Sequence, residues 1–263
     1  MNIPSQKYHG TGNDFIMIDQ REQQYLTRED QVIIEQMCTR HFGIGADGLI
    51  LLQKHSELDF EMVYFNSDGR ESSMCGNGGR CIVAFAHHLG VFEKECKFWA
   101  IDGLHEAMIK DNWVELKMGA VDAVEIYKTH YFLDTGSPHH IAFVEDVEKV
   151  NIVAEGSEIR YSKAYQPTGT NVNFVQKNEQ GIVVATYERG VEDETLSCGT
   201  GVTAAAIAYH LQNPTKKIVN ITTKGGELQV KLEPNGSGFD NIWLCGSTQK
   251  VFQGSLEEID KFI

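Results

Sequence analysis

The strongest constraint on the fold of this chain is a sequence motif that its two halves share. MCGNGGRC, residues 74–81, places a cysteine directly before a glycine-rich segment, and SCGTG, residues 197–201, does the same. Identical residues match at one constant offset in and around these motifs: Tyr64 with Tyr187, Glu71 with Glu194, Cys75 with Cys198, Gly76 with Gly199 and Gly78 with Gly201. Because the matches cluster around one strand, loop and helix, they indicate an internal duplication.

Apolar alternation predicts the strands of each half, and helical spacing predicts the helices. The predicted strands are 15–19, 48–53, 59–65, 97–102, 106–111 and 113–119 in the first half, and 181–190, 218–225, 227–233 and 241–247 in the second. The predicted helices are 28–42 with Thr27 as its cap, 81–90 after a glycine turn and closed by Gly90, and 201–212, halted at Asn213 and Pro214.

These elements predict an α/β (α+β) fold with two pseudo-symmetric domains, each a mixed β-sheet wrapped around a buried central helix. The predicted N-terminal domain is 1–119 and contains Cys75, and the predicted C-terminal domain is 120–263 and contains Cys198. In this assignment the C-terminal tail, from about 250 to 263, can pack back on the N-terminal domain. We expect the active site in the cleft between the two domains.

Composition limits the possible functions. The chain has 263 residues, 41% of them hydrophobic, and a formal net charge of −14, which is ordinary for a globular protein. An acidic surface repels phosphate backbones and anionic lipids, so neither nucleic acid nor a membrane is an expected partner. Because no apolar run reaches bilayer-spanning length and residues 1–10 lack the apolar core of a signal peptide, we expect a cytoplasmic protein.

Six cysteines occur in the chain. They form no CxxC pair, and the spacing from Cys75 to Cys81 does not suit a zinc knuckle. A large chain without an export signal is also a poor candidate for a disulfide framework. Four of the cysteines are therefore predicted to be inert, buried thiols: Cys38, Cys81, Cys96 and Cys245.

The other two cysteines stand where a helix N-terminus can activate a thiol. Unpaired N–H groups and the partial positive charge of a helix start stabilise a thiolate and can also hold a carboxylate. One copy of this motif is as compatible with a structural turn as with a reactive site. Two copies in duplicated domains predict opposed thiols, Cys75 and Cys198, one removing an α-proton while the other protonates the opposite face. The same N–H donors would hold the enolate charge.

Seven segments together resemble the signatures of the diaminopimelate epimerase family: HGTGNDF at 9–15, GIGADG at 43–48, FNSDG at 65–69, MCGNGGRC at 74–81, GTNVNF at 169–174, YERG at 187–190 and CGTG at 198–201. The resemblance covers nearly the whole chain. It implies epimerisation of LL-diaminopimelate to the meso isomer, for lysine and cell-wall synthesis, without pyridoxal phosphate, metal or other cofactor. It also implies a homodimer, with Cys75 as proton donor and Cys198 as acceptor in that direction.

The resemblance also implies a set of substrate-binding residues. Glu188 and Arg189 supply an acceptor for an ammonium group and a fork for a carboxylate, although such a pair is more often a surface ion pair. The remaining residues are four amides, three backbone N–H donors and two less secure positions: Asn13, Asn66, Asn77 and Asn171; Gly76, Gly199 and Thr200; Ser137 and His139. Asparagine in glycine-rich loops is commonly a turn residue, so the assignment of the amides depends on the resemblance.

Three departures from the family pattern concern recognition. Ser137 stands where the family usually has asparagine, Gly48 stands where some members have glutamine, and the acidic loop 190–197 is one residue longer than is common. All three leave the thiol pair unchanged.

Two alternative functions stay open. A related cofactor-independent racemase, acting for example on histidine, would use the same thiols, whereas proline racemase relatives have histidine where this chain has Asn77. The second alternative is a redox or metal-binding module that uses Cys75 and Cys198. Two thiols are too few ligands for a metal, so this alternative needs other ligands that the sequence does not group with them.

Overall fold

The structure is a computed structural model that describes residues 2–257. It divides into two compact units. Of the described residues, unit 1 comprises 2–116 with 247–257, and unit 2 comprises Lys117–Gly246. Residues 258–263 of the C-terminal tail, which we expect to pack back on the N-terminal domain, lie outside the described residues.

Unit 1 is a mixed sheet with two helices. Its strands are β1 (Ile3–Gly10), β2 (Asn13–Asp19), β3 (Gly48–Gln53), β4 (Phe60–Asn66), β5 (Glu95–Ala100), β6 (Gly103–Lys110), β7 (Trp113–Lys117) and β17 (Gln249–Leu256), and its helices are α1 (Gln31–Cys38) and α2 (Gly76–His88). Within the unit the strand order is β17, β1, β2, β3, β4, β5, β6 and β7. The pairs β2–β3 and β4–β5 are parallel, and the others are antiparallel.

Unit 2 follows the same plan. Its strands are β8 (Glu125–Ile126), β9 (Tyr131–Asp134), β10 (Pro138–Val144), β11 (Asn171–Lys177), β12 (Gly181–Glu188), β13 (Asp193–Thr195), β14 (Ile218–Thr223), β15 (Gly226–Asn235) and β16 (Gly238–Ser247), and its α-helices are α3 (Ile152–Arg160) and α4 (Gly199–Gln212). Short 3₁₀ helices lie at Val147–Lys149 and Lys163–Tyr165. The order is β8, β9, β10, β11, β12, β14, β15 and β16, with β10–β11 and β12–β14 parallel.

The two units therefore have the same order of parallel and antiparallel strand pairs, which confirms the duplication predicted from the repeated motif. Parallel neighbours need a crossover connection, and each of the four parallel pairs has a helix between its strands. Helix α1 joins β2 to β3 and α2 joins β4 to β5, as α3 joins β10 to β11 and α4 joins β12 to β14. The predicted fold class, with mixed sheets and a buried helix in each half, is confirmed.

Helices α2 and α4 are the central helices, and both begin earlier than the sequence predicts. Helix α2 contacts β1, β2, β3 and β6, and α4 contacts β9, β10, β11, β12, β14 and β15. The predicted glycine turn before residue 81 is wrong, because α2 starts at Gly76 and the glycines lie in its first turn. A Cβ on Gly79 would lie 2.8 Å from Leu116 Cδ2 and from Met74 Sδ. Glycine therefore serves close packing here, where the sequence suggested a turn.

Two smaller predictions are also corrected. The helix predicted at 28–42 is shorter, and Thr27 does not cap it: Asp30 is the N-cap residue, and its carboxylate accepts hydrogen bonds from the N–H and hydroxyl of Thr27. The acidic loop after Arg189 contains strand β13, which pairs with the end of β12. In the described residues, no helix combines the length and apolar character that crossing a bilayer requires.

Candidate active site

Cys75 is the N-cap residue of the central helix of unit 1. Its backbone is extended, with φ −92° and ψ 132°, and its carbonyl accepts the N–H of Gly79 at 2.7 Å. The thiol is half-buried, and Sγ donates to Asn13 Oδ1 at 3.6 Å. Asn77 Nδ2 donates to the same oxygen at 3.3 Å. The sulfur, Asn13 and Asn77, which are all predicted site residues, are thus brought together.

The orientation of the Asn13 amide is fixed by a carboxylate that the sequence reading missed. Asn13 Nδ2 donates to Asp47 Oδ2 at 2.6 Å, and a carboxylate only accepts hydrogen bonds, so Asn13 Oδ1 must face the thiol. Arg40 donates to Asp47 at 2.9 Å and to the neighbouring Asp14 at 2.7 Å. Burial works to raise the pKa of Asp14, but hydrogen bonds from Arg40 and Lys7 outweigh it and hold that pKa at about 2.

A fully buried arginine supports the other amide. Arg80 Nη2 donates to Asn77 Oδ1 at 3.0 Å and to Thr11 Oγ1 at 3.2 Å, while Nη1 donates to the Gly76 carbonyl at 3.3 Å. These bonds hold Asn77 Oδ1 away from Asn13, so that its Nδ2 donates there. Arg80 lies inside the MCGNGGRC motif, but its role in orienting the Asn77 amide is evident only from its buried position in the structure.

Cys198 has the same place at the start of the central helix of unit 2. Its backbone is extended, with φ −111° and ψ 112°, and the residue is 7% exposed. Sγ lies 3.4 Å from the hydroxyl of Thr200, and that hydroxyl lies 2.9 Å from Nε2 of His139. The Thr200 carbonyl accepts a hydrogen bond from Thr135 at 2.9 Å. Three predicted site residues, Cys198, Thr200 and His139, are therefore in contact.

A second group of predicted residues surrounds Arg189. Asn171 Oδ1 accepts the backbone N–H of Arg189 at 2.9 Å, and Asn171 Nδ2 donates to Ser137 Oγ at 2.9 Å. The guanidinium donates to the same Ser137 oxygen at 3.3 Å. Ser137, which departs from the family pattern, thus helps to hold Arg189 in place.

Asn66 and Glu188 both end strands and take part in turns. Asn66 is exposed, and its carbonyl accepts the N–H of Gly69 at 2.9 Å. Glu188 is half-buried, and its carbonyl accepts the N–H of Glu192 at 2.8 Å. Gly48 pairs with Asn66 across β3 and β4, where a Cβ would lie 2.5 Å from the Phe65 carbonyl oxygen. The backbone there leaves no room for the glutamine of other family members without a shift.

Glu192, which the sequence reading also missed, fixes the turn after Arg189. It forms an ion pair with Arg160 at 2.6 Å and accepts hydrogen bonds from the Tyr161 and Tyr187 hydroxyls at 2.8 and 3.0 Å. Burial works to raise the pKa of Glu192, but these hydrogen bonds, with one from Gly190, hold that pKa at about 2. An acidic run in sequence gave no signal that one carboxylate would organise this turn.

The four cysteines predicted to be inert are all buried: Cys38, Cys81, Cys96 and Cys245. Burial raises the pKa of Cys38 and of Cys96 to about 12, and raises that of Cys81 as well. Within residues 2–257 no three histidine, cysteine, aspartate or glutamate side chains are grouped so that they could hold a metal ion.

Solved structures with the same fold define the structural class. A phenazine biosynthesis protein of the PhzF family from Bacillus anthracis superposes with a TM-score of 0.76 at 13% identity, covering 97% of this chain and 99% of the other. A hydroxyproline epimerase from Agrobacterium vitis superposes with a TM-score of 0.69 at 14% identity, covering 97% and 92%. The chain therefore has the two-domain fold of these proteins, with a cysteine at the start of each central helix.

Sequence similarity identifies the family within that class. The diaminopimelate epimerase family model matches residues 5–124 and again residues 131–251. A diaminopimelate epimerase from Flavobacterium psychrophilum is 49% identical over 253 residues, covering 95% of this chain and 98% of the relative. One from Aquifex aeolicus is 41% identical over 276 residues, covering 96% and 97%. The chain belongs to the diaminopimelate epimerase family.

Proposed function

We propose that this chain interconverts LL-2,6-diaminopimelate and meso-diaminopimelate, with Cys75 and Cys198 as opposed acid and base and with no pyridoxal phosphate or metal. Family membership supports the substrate. The observation that carries the thiol chemistry is the repeated placement of a cysteine as the N-cap residue of a buried central helix. A helix start supplies unpaired N–H donors and positive potential beside each sulfur.

The proposed reaction moves one proton at each face of the α-carbon. The Cys198 thiolate takes the α-proton of the LL isomer, and the electron pair of that C–H bond delocalises into the carboxylate. The Cys75 thiol then donates its proton to the opposite face. After this turnover Cys198 is the thiol and Cys75 the thiolate, so the reverse reaction uses the same groups in exchanged roles. Backbone N–H groups of Gly76, Gly199 and Thr200 would bind the carboxylate and hold its developing charge.

The far end of the substrate needs its own charged partners. We assign the distal carboxylate to Arg189, because Ser137 and Asn171 hold this residue in position. Glu188 would accept a hydrogen bond from the distal ammonium group. Asn13, Asn66, Asn77 and Asn171 complete the proposed polar lining, and His139, which is fully buried, would contribute from behind Thr200.

The test is proton exchange in heavy water. Purified chain would be incubated with LL-diaminopimelate in buffered D₂O, with EDTA and a reducing agent, and α-deuterium incorporation followed by NMR. We expect deuterium in the meso product. L-histidine serves as the second substrate, and deuterium in histidine alone would assign the chain to the alternative racemase. Activity that EDTA abolishes and zinc restores would contradict the metal-free mechanism. Activity that the carbonyl reagent hydroxylamine abolishes would contradict the absence of pyridoxal phosphate.

Two further properties belong to this proposal. The family resemblance implies a homodimer, and we expect a cytoplasmic location for an enzyme of lysine and cell-wall precursor biosynthesis. Sedimentation equilibrium of the purified chain measures the first, and a monomer that retains full epimerase activity would contradict it. Fractionation of the source cells measures the second.

A further inference from the structure

A continuous series of hydrogen bonds reaches Cys198 from the sheet of unit 2. Thr186 Oγ1 donates to Asn173 Oδ1 at 2.9 Å, and Asn173 Nδ2 lies 3.0 Å from His139 Nδ1. On the other side of the imidazole, Nε2 lies 2.9 Å from Thr200 Oγ1, which lies 3.4 Å from Cys198 Sγ. The direction of each hydrogen bond decides whether Thr200 can donate to the sulfur. The groups around Asn173 fix these directions.

The Asn173 amide can take only one orientation. Its Nδ2 lies 3.1 Å from the backbone carbonyl oxygen of His140, which can only accept a hydrogen bond. Exchange of the amide oxygen and nitrogen would place two acceptors against each other inside a buried site, where an unmade hydrogen bond is costly. Asn173 Nδ2 is therefore the donor to both the His140 carbonyl and the His139 ring.

The donor from Asn173 fixes the tautomer of His139. Nδ1 must accept, so the ring hydrogen of the neutral imidazole is on Nε2. Burial, and then the positive charge of Arg189, lower the pKa of His139 to about 3, so the ring is neutral at physiological pH. Nε2–H consequently donates to Thr200 Oγ1. Because the threonine oxygen accepts from the ring, its single hydrogen is available to Cys198 Sγ, which lies 3.4 Å away.

We propose that Asn173, His139 and Thr200 form a relay of fixed polarity that holds a hydrogen-bond donor on Cys198 Sγ and so favours its thiolate. This role rests on the proposed function of Cys198 as a catalytic acid and base. The three residues are positioning residues, because they act on the reacting sulfur and not on the substrate through this relay. A donor stabilises a thiolate more than a thiol, since a thiolate is the stronger acceptor.

The second glycine of CGTG has a role in the same relay. A Cβ on Gly201 would lie 2.4 Å from Asn173 Oδ1 and 3.3 Å from Cys198 Sγ. Only glycine lets the Asn173 amide approach the first turn of the helix this closely. The register of β11 with β12 places Thr186 opposite Asn173, which supplies the remaining donor to Oδ1.

The first experiment measures the pH profile of alkylation at each thiol by iodoacetamide and peptide mass spectrometry, without turnover. Thr200→Val removes the hydroxyl at nearly constant volume and should move the midpoint for Cys198 upward by about one pH unit. Thr200→Ser keeps the hydroxyl and should restore the wild-type midpoint. Cys75 is the internal reference, and its profile should stay unchanged in both variants. An unchanged Cys198 midpoint in a folded Thr200→Val variant would overturn the relay.

The second experiment uses the wild-type chain, so it does not depend on the folding of a variant. Nitrogen NMR of labelled histidines distinguishes the two neutral tautomers, and correlation of the ring signals with the assigned backbone of the wild-type chain identifies the signal of His139. We expect a neutral ring protonated at Nε2 between about pH 5 and pH 8. A ring protonated at Nδ1 would reverse the polarity and refute the proposal. Neither experiment requires epimerase activity, so failure of the relay and failure of the proposed function give different results.

Discussion

Cys75 and Cys198 hold equivalent positions in the two units, but the groups beside their sulfur atoms differ in hydrogen-bonding character. Both cysteines are extended N-cap residues of a central helix. Cys75 faces an acceptor, Asn13 Oδ1, which Asp47 holds in that orientation. Cys198 faces the Thr200 hydroxyl, which the relay turns into a donor. An acceptor favours the protonated thiol and a donor favours the thiolate.

Duplication kept the backbone arrangement at the helix starts, whereas the side chains that neighbouring elements contribute diverged. The helix start is common to both units and supports a negative charge at either sulfur. The residue that contacts the sulfur comes from β2 in unit 1 and from the helix itself, supported by β10 and β11, in unit 2. The resting pair is then expected to be a Cys75 thiol and a Cys198 thiolate, ready for the LL isomer.

The largest effect should come from removing either thiol. Cys75→Ser and Cys198→Ser keep the size of the side chain, but a hydroxyl is a far weaker acid and base near neutral pH. We expect each variant to lose about 10³-fold or more in kcat, in both directions, because every turnover needs one sulfur on each face. Circular dichroism should show an unchanged fold. Near-wild-type epimerisation by either variant, from either isomer, would disprove the two-thiol mechanism.

Matched controls distinguish loss of a catalytic thiol from loss of any cysteine. Cys96→Ser changes a buried thiol in unit 1, and Cys245→Ser changes one in unit 2. Both should keep kcat, because neither side chain belongs to the proposed site, and both should lower stability slightly, because a hydroxyl costs more to bury than a thiol. The double variant of Cys75 and Cys198 should be little worse than either single variant, because the pair acts as a unit.

Loss of Arg189 should be the next largest effect, and it belongs to unit 2 alone. Arg189→Ala removes the proposed fork for the distal carboxylate, so kcat/KM on diaminopimelate should fall about 100-fold. Arg189→Lys keeps the charge without the fork and should recover only part of that loss. Ser137→Ala should have a smaller effect, because it removes one support of the guanidinium. Full kcat/KM in Arg189→Ala would mean that the residue is structural.

Mild acid should destabilise unit 2 before unit 1. Burial, with the stacked His130, lowers the pKa of His140 from 6.5 to about 4. Between these values the unfolded chain binds the proton and the folded chain does not, so stability falls as pH drops below about 6.5. For unit 1, the lowered pKa of Asp14 loses stability only below its ordinary value of 3.8. From pH 7 to pH 5, His140 should therefore cost about 2 kcal/mol.

Urea unfolding at the two pH values measures this difference. His140→Gln can keep a hydrogen bond to Tyr165, which lies 2.7 Å from His140 Nδ1, and it removes the titrating ring. The variant should therefore lose about 2 kcal/mol of the pH dependence. His41→Asn, at an exposed position with φ 74°, is the control and should leave the pH dependence unchanged. Equal pH dependence in His140→Gln and wild type would contradict the assignment.

The smallest effect should be a shift of the Cys75 thiol in the direction opposite to that of Cys198. Asn13→Ala removes the acceptor that favours the protonated thiol, so the midpoint for Cys75 alkylation should fall by roughly 0.5 pH unit. The Cys198 midpoint is the internal reference. Asn66→Ala, an exposed amide at the end of β4, is the matched variant and should change neither midpoint. An upward shift at Cys75 would remove the contrast between the two sites.

Much of the fold was predictable because the duplication appears as repeated short patterns in the sequence. Apolar alternation predicted β3 and β4 close to their observed bounds, and the repeated Cys-Gly motif located both central helices. The starts of those helices were missed because Gly76, Gly79 and Gly199 are weak helix formers. At Gly79 the packing explains the choice of residue, because a Cβ there would lie 2.8 Å from Leu116 Cδ2 and a larger residue does not fit. Local propensity contains no information about that packing.

The repeat, the cysteine at the start of each central helix and the family can all be recognised in the sequence. Those features are local, because a cysteine before Gly-x-Gly and a helix is recognisable from five or six neighbouring letters. Which group faces each sulfur depends on the tertiary structure. Asp47, Asn173 and the His140 carbonyl act through amide orientation, and they come from segments far from the cysteines in sequence. Hydrogen-bond polarity depends on distance and direction between such groups, which exist only once the strands have paired and placed them beside the helix starts.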